Sequence, residues 1–306
     1  MLGTVQLGLS YGIANKTGQP SYETARDIIK CAYEGGVNCF DTAAGYGVSE
    51  EVLGKALSDL GIAGKVAVVS KITPMANDLS PEAAFGIVEE SVTESLRRLK
   101  LDALSACLFH REDNFSYVEA LFKLRQKGLV RHVGSSTVTP EGASAIVASG
   151  LAEAVQVPVS MIDQRFTRSG LCRDARTQDV AVFARSIYLQ GLLLMPEADI
   201  ADELSAAIPV RQELQRLADE AGMTMAELAV RYVLSLEDVT CIVVGVETVE
   251  QMRENLRLFG KGPLDESLTR AISESVPDLP TSVVDPRNWS MRMPDAKLES
   301  KKHASS

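Results

Sequence analysis

The sequence predicts a single-domain α/β protein, a (β/α)8 or TIM barrel, and three observations carry that prediction. Strand-like and helix-like segments alternate through most of the chain, as in a parallel sheet with crossover helices. Several strand candidates are apolar runs without alternation, as strands buried on both faces require. Their number is eight, which favours a closed barrel over an open sheet, and 306 residues suit one such barrel.

The strand candidates are 3–7, 37–41, 66–71, 103–110, 132–135, 154–158, 180–185 and 240–245. Helix starts between them are well marked. Ser80 and Thr139 each stand before a proline, a capping residue followed by proline at the first helical position. Thr224 with Glu227, and Thr248 with Gln251, have capping-box spacing. Ala84, Val88, Ser91, Val92, Ser95, Leu96 and Leu99 recur at helical spacing and predict a sheet-packing face on the third helix. After about Pro263 the pattern dissolves. The expected organisation is a barrel over 1–262 and a partly disordered C-terminal tail over 263–306, with 295–306 polar and mobile.

Composition narrows the function classes. The chain is 45% hydrophobic and 24% charged, with mean hydropathy near zero, enough for one large core. A net charge of -10 argues against nucleic acid or an anionic membrane as the main partner. The first residues show no basic start followed by an apolar run, and no stretch of about 18 apolar residues occurs. Five cysteines are scattered without a Cys-x-x-Cys pair; Cys39, Cys107 and Cys241 fall in strand-like runs, where cysteine is usually a small buried apolar residue. The expected setting is the reducing cytoplasm. With three histidines in all, no metal site is expected.

A (β/α)8 barrel carries its active site at the carboxyl ends of the strands. Strand two ends in Asp41, with Tyr46 in the loop that follows; strand three ends in Lys71; strand four ends in His110. Taken singly, each has a plain structural explanation: a helix-capping Asp, a solvated Lys, a hydrogen-bonded His. Together on one rim they make chemical sense. Free tyrosine ionises near pH 10, too high for ready proton exchange at neutrality. An adjacent ammonium, Lys71, favours the phenolate, and Asp41 orients the lysine. His110 is placed to hold a carbonyl oxygen. Such a site donates a proton to a carbonyl as hydride reaches its carbon.

Phe40-Asp41-Thr42-Ala43, Tyr46-Gly47, Ser49-Glu50, Gly54, Ser70-Lys71 and Phe109-His110 resemble, in that order, the aldo-keto reductases, and the resemblance covers roughly residues 3–260. It implies Tyr46 as general acid/base, Lys71 and Asp41 as its tuning pair, and His110 as the substrate-orienting group. It also implies a nicotinamide cofactor, NADP(H) or NAD(H), held by residues that include Gly3, Thr4 and Asp41. Gly134-Ser135-Ser136-Thr137 resembles the carboxamide-binding segment, with Thr137 where the family usually has Asn, and Gln156 resembles the glutamine sharing that duty. Arg185, Ser186, Leu189 and Gly191 fall in a segment resembling the pyrophosphate-covering loop. Gly245, Val246 and Glu247, then Gln251, Glu254 and Asn255, resemble the adenosine-binding start of the last helix.

Two departures stand out. Many members place a base near Gly245–Glu247 for the 2′-phosphate of NADP, whereas Glu247 is the charged residue there and is suited to a ribose hydroxyl. Either Glu247 points to solvent and another base, Arg185 first, meets the phosphate, or the cofactor is NAD(H). Met1–Thr4 also opens directly on the first strand, without the hairpin that many members place before it.

Substrate choice is expected in the loops after His110, after Ser186, and over 285–294, which hold Arg111, Arg287, Arg292 and Trp289. Residues 4–15 and 189–193 faintly resemble family members of sugar metabolism. The leading expectation is reduction of an aldehyde or ketone to an alcohol, or the reverse, on a small molecule, by a monomer or homo-oligomer. The alternatives are a cofactor-binding regulatory subunit like the channel-associated members, and a barrel aldolase or isomerase using Lys71 as a Schiff base.

Overall fold

Eight strand-forming runs wind into one parallel barrel, and the eighth is broken in its middle. The computed structural model describes residues 1–290. Its strands are β1 (Leu2–Gly3), β2 (Cys39–Asp41), β3 (Ala67–Ile72), β4 (Leu104–Phe109), β5 (Val130–Ser136), β6 (Ala154–Pro158), β7 (Ala181–Arg185), β8 (Cys241–Ile242) and β9 (Val244–Gly245). They pair in the order β8-β7-β6-β5-β4-β3-β2-β1-β9, every pair parallel. β8 pairs with β7 and β9 with β1, so the expected strand 240–245 closes the barrel by pairing half with each neighbour. At the break Val243 N–H donates to Ala184 (2.8 Å) and Val244 N–H to Met1 (3.2 Å).

The first strand is shorter than the expected 3–7. Thr4 explains this: its N–H and its hydroxyl both donate to the Asp41 carbonyl (2.9 Å each), and its own carbonyl accepts from Leu7 N–H, turning the chain into α1 (Val5–Gly8). The larger helices follow as α2 (Tyr22–Glu34), α3 (Ser49–Asp59), α4 (Pro81–Leu99), α5 (Val118–Gln126) and α6 (Pro140–Ala148). Two short ones, α7 (Arg165–Arg168) and α8 (Leu171–Thr177), precede β7; α9 (Ile208–Glu220), α10 (Met225–Leu234) and α11 (Val249–Phe259) complete the ring. Ser80, Thr139, Thr224 and Thr248 all cap as their positions predict. The capping boxes are only half made, because Glu227 turns to Arg231 and Lys261, and Gln251 accepts from Glu247 N–H (2.7 Å). α4 buries Ala84, Val88, Val92, Ser95, Leu96 and Leu99 as its spacing predicts.

Beyond Pro263 the chain is not patternless. Asp265 caps α12 (Glu266–Ser275), which buries Ile272, and α13 (Thr281–Val284) accepts a hydrogen bond from Trp289 Nε1 at the Val283 carbonyl (3.1 Å). Leu268, Ala271 and Ile272 recur at helical spacing and pack on the core, a short amphipathic pattern that the expected dissolved tail overlooks. Arg292 and the stretch 295–306 lie outside the described residues. Among the described residues no helix is long and apolar enough to cross a membrane. Burial pushes the Cys107 thiol up, and that of Cys39 to about 12, which fits small apolar roles.

Two apolar layers result. The larger lies between sheet and helices; the smaller, Val69, Ala106, Leu108 and Ala154 with Cys39, Ala181 and Phe183 against it, fills the barrel. Strand side chains alternate with period two. The positions above that inner layer are therefore Asp41, Lys71, His110, Gln156 and Arg185. The barrel is tightest at Gly134 of β5, where a Cβ would sit 1.9 Å from the Ala154 carbonyl oxygen of β6. Gly134→Ala should cost about 3 kcal/mol or more, since backbone cannot yield as a side-chain tip does. Urea denaturation checks this, and wild-type stability of the variant would refute the tight contact.

Candidate active site

Asp41 closes β2 and Lys71 lies near the end of β3, both inside the barrel. Lys71 Nζ donates to both Asp41 oxygens (2.8 Å each) and to the Thr42 carbonyl (2.9 Å), with no exposed side-chain surface. Burial alone would lower the lysine's pKa, but Asp41 and Tyr46 outweigh it and hold the ammonium charged above the ordinary lysine range. Across the barrel, Gln156 Nε2 donates to Asp41 Oδ1 (2.8 Å). Strands β2, β3 and β6 thus meet in one hydrogen-bonded knot.

Tyr46 stands above it. Its backbone is pinned by Ala43 and Ser49, and Gly8 packs so closely that a Cβ there would lie 2.0 Å from the Tyr46 carbonyl oxygen. The ring lies 4.9 Å from Lys71 Nζ, and edge-on to His110 with centroids 5.4 Å apart. His110 follows β4, and its Nδ1 is buried without a partner. Burial first, then Lys71 and Arg185, pull its pKa down to about 3, so the imidazole is neutral near pH 7. All four residues expected at this rim are brought together.

The motif residues around them are scaffold. Ser49 Oγ donates to the Thr4 carbonyl (2.8 Å), and buried Glu50 accepts from Ser70 Oγ (2.6 Å) and pairs with Arg98 (3.4 Å). A Cβ at Gly54 would collide with the Arg98 and Leu99 backbone that ends α4.

Asp41, Tyr46 and His110 stand at the inner end of a cavity of about 1970 Å³, and Lys71 is buried beneath them. Gly3, Thr4 and Asp41 reach it from β1 and β2, Ser136 and Gln156 from β5 and β6, Arg185, Ser186 and Gly191 from β7 and its loop. Gly245, Val246, Glu247, Gln251, Glu254 and Asn255 line its far arm. Three expected cofactor residues do not line it. Ser135, on the opposite face of β5 from Ser136, is buried and donates to backbone carbonyls; Thr137 is fully buried; Leu189 packs in the core. Thr137 still contributes its carbonyl, which accepts from Arg185 Nη2 (3.1 Å).

Glu247 is half-buried on the cavity wall, with no basic partner among the described residues. Burial pushes its carboxyl up, with Gln251 opposing. Of the loop residues, Arg111 pairs with Asp113 (2.6 Å), Arg287 with Asp285 (2.6 Å), and Trp289 joins the wall. Tyr11 was not expected at the site, yet it lines the cavity and accepts from Gln190 Nε2 (3.1 Å). Its only sequence signal is a lone tyrosine beside Gly12 after the first strand. No group of three or more His, Cys, Asp or Glu is arranged for a metal among the described residues.

A family model described as "Aldo/keto reductase family" matches residues 1–276. The chain belongs to the aldo/keto reductase family. This aldo-keto reductase is 26% identical over 293 residues to "Uncharacterized oxidoreductase YqkF" of Bacillus subtilis, covering 89% of this chain and 94% of that one. It is 26% identical over 292 residues to "NADH-specific methylglyoxal reductase" of Escherichia coli, covering 82% and 87%. Among solved structures it resembles "aldo-keto reductase AKR11C1 from Bacillus halodurans (holo form)", with TM-score 0.74, 22% identity and 94% of each chain covered; that likeness speaks for the fold.

The lowered pKa of His110 has a consequence for acid stability. Below its ordinary 6.5 the unfolded chain takes up a proton that the folded protein refuses until about pH 3. His110 therefore subtracts stability progressively as pH falls through that window. Between pH 7 and 5, wild type should lose on the order of 2 kcal/mol more than His110→Gln. Equal losses in urea titrations at the two pH values would show an imidazole that titrates as an exposed one.

Proposed function

We propose that this aldo-keto reductase interconverts a small aldehyde or ketone and its alcohol, with a nicotinamide dinucleotide bound along the cavity. The observation that carries the reading is the buried Lys71–Asp41 pair set 4.9 Å under the Tyr46 ring, with neutral His110 at that ring's edge. A Schiff-base role for Lys71 would need a neutral amine with room around it; both carboxylate oxygens and a carbonyl hold this one.

The chain's own groups fit a dinucleotide. The cavity has a glycine-lined arm at Gly3 and Gly245, and an orphaned buried oxygen, Gln6 Oε1, beside Gly245. Gly3, Thr4, Ser136 and Gln156 would hold the nicotinamide end; Ser186 and Gly191 the diphosphate; and Gly245, Val246, Glu247, Gln251, Glu254 and Asn255 the adenosine. When bound, the nicotinamide supplies or accepts the hydride. Tyr46 gives its hydroxyl proton to the carbonyl oxygen in reduction and takes it back in oxidation. The Lys71 ammonium stabilises the charge left on the phenol oxygen, and Asp41, braced by Gln156, keeps that ammonium in place. His110, being neutral, offers one ring N–H to the same carbonyl oxygen without a competing positive charge.

Tyr46→Phe removes only the proton donor. Turnover with a carbonyl panel should fall about 100- to 10,000-fold while cofactor affinity stays within a few-fold of wild type. Normal turnover in this variant would sink the reading.

We further propose NAD(H) as the preferred cofactor. Glu247 is a half-buried carboxyl on the adenosine arm with no basic partner among the described residues, and the E. coli relative is named as NADH-specific. A carboxylate a few ångströms from a 2′-phosphate costs on the order of 1–4 kcal/mol. Glu247→Arg should therefore raise the NADP(H)/NAD(H) affinity ratio at least about tenfold. Dissociation constants of both cofactors for both proteins decide it, and a wild type that already prefers NADP(H) refutes it.

A further inference from the structure

Among the described residues, positive charge around the cavity is paired with one exception. Lys16 pairs with Asp199 (3.1 Å), Arg111 with Asp113 (2.6 Å), Arg287 with Asp285 (2.6 Å), and Lys71 below them with Asp41 (2.8 Å). Arg185 has no carboxylate within ion-pair distance among the described residues. Its bonds go to the neutral Thr137 carbonyl (3.1 Å) and Ser186 Oγ (3.3 Å), leaving most of the guanidinium's donors uncommitted. A half-buried cation without an anion is costly, and an Arg fork is shaped for two oxygens of one carboxylate or phosphoryl group.

Its position says whose anion this is. Arg185 is the last residue of β7, above the inner apolar layer and on the same cavity wall as His110 and Tyr46. Its charge is felt at the reacting end: after burial and Lys71 it helps lower His110, and it opposes the burial and the Tyr46 interaction that raise the Tyr11 phenol. Tyr11 supplies a second donor. Its oxygen already accepts from Gln190, so its own proton is free to point into the cavity.

We propose that Arg185, with Tyr11 beside it, is the specificity-determining anion site, selecting carbonyl substrates that carry a carboxylate or phosphoryl group. This rests on the carbonyl–alcohol reading above. The guanidinium holds the far oxygens of the substrate while its carbonyl oxygen lies between Tyr46 and His110. Substrates without the anion lose a charge-assisted pair of hydrogen bonds and leave the cation unanswered.

The test compares matched substrates: succinic semialdehyde against butanal, and glyceraldehyde 3-phosphate against glyceraldehyde. In wild type, kcat/KM for one anionic member should exceed its neutral partner by about thirtyfold or more, and the pair with the larger ratio names the anion. Arg185→Met should collapse that ratio, mainly through KM; Arg185→Lys should keep part of it, and Tyr11→Phe should lower it about three- to tenfold. A wild type indifferent to charge, or a ratio unchanged in Arg185→Met, overturns the proposal. Loss of NADH and NADPH affinity in Arg185→Met with an unchanged ratio also overturns it, assigning the guanidinium to the dinucleotide's phosphates. If none of the four carbonyls turns over, the carbonyl reading is what fails, and titration of NADH-loaded protein with butyrate or inorganic phosphate still reads the anion site. Binding lost in Arg185→Met supports it, and no binding to wild type overturns it.

Discussion

A fully buried ammonium governs this structure. Lys71 has no exposed side-chain surface, and an unpaired ammonium inside a barrel would cost several kcal/mol. Its answer recruits two further strands: Asp41 from β2 with the Thr42 carbonyl that follows, and Gln156 from β6, which braces Asp41. Below the pair the barrel is apolar, filled by Val69, Leu108 and Ala154. Such a pair adds little net stability over a hydrophobic filling of the same volume. What it provides is a fixed positive charge 4.9 Å from the Tyr46 ring, with the lysine's stem immobile. The same charge adds to burial in keeping His110 neutral.

The cavity is electrostatically polarised along its length. At the inner end Lys71 and Arg185 both lower His110, and Arg185 is the charge without an acid. On the far arm stand Glu247, Glu250 and Glu254, of which Glu250 is tied to Arg253 (3.6 Å) and Glu254 to Arg257 (2.7 Å). An elongated ligand with a negative end near β7 and a neutral end near α11 matches that field, whereas the reverse orientation sets its negative end against Glu247 and leaves Arg185 unanswered. The paired arginines of the outer loops, Arg111 and Arg287, contribute little to it because their charges are already answered.

Much of this was legible in the sequence, for definite reasons. Strand ends read well because period-two alternation above an apolar layer leaves Asp41, Lys71 and His110 as polar residues closing apolar runs, and caps read well because Ser80, Thr139, Thr224 and Thr248 act over three residues. What failed depends on contacts distant in sequence. β1 is cut short by hydrogen bonds from Thr4 to Asp41, 37 residues away. The eighth strand breaks because its two halves pair with different neighbours. Ser135 resembles a cofactor ligand by motif, but one step of strand alternation turns it away from the cavity. α12 escaped notice because its apolar face is short, Leu268, Ala271 and Ile272 in ten residues. Tyr11 joins the site only because the loop after β1 meets the loop after β7.

That meeting of loops is where backbone strain gathers. Ser186 (φ 64°), Leu189 (φ 45°) and Gln190 (φ 53°) are left-handed without being glycine, and Gly191 follows at φ 93°. Each non-glycine case costs on the order of 1 kcal/mol or more, so something must hold the segment in place. Leu189 is anchored in the core, Gln190 donates to Tyr11, and Gly191 lies so close to Ala14 that a Cβ would sit 2.3 Å from the alanine's own. Lys16 and Asp199 add an ion pair between the same two loops (3.1 Å). The anchors fix the chain immediately after Arg185, and the strained turn at Ser186 ends the strand there instead of letting it run on. A long arginine side chain is thereby kept over the catalytic group, bonded to the carbonyl of Thr137 on the neighbouring rim. Core packing of one leucine and the loop contacts around Tyr11 thus support the same end of the cavity that buried Lys71 charges from below.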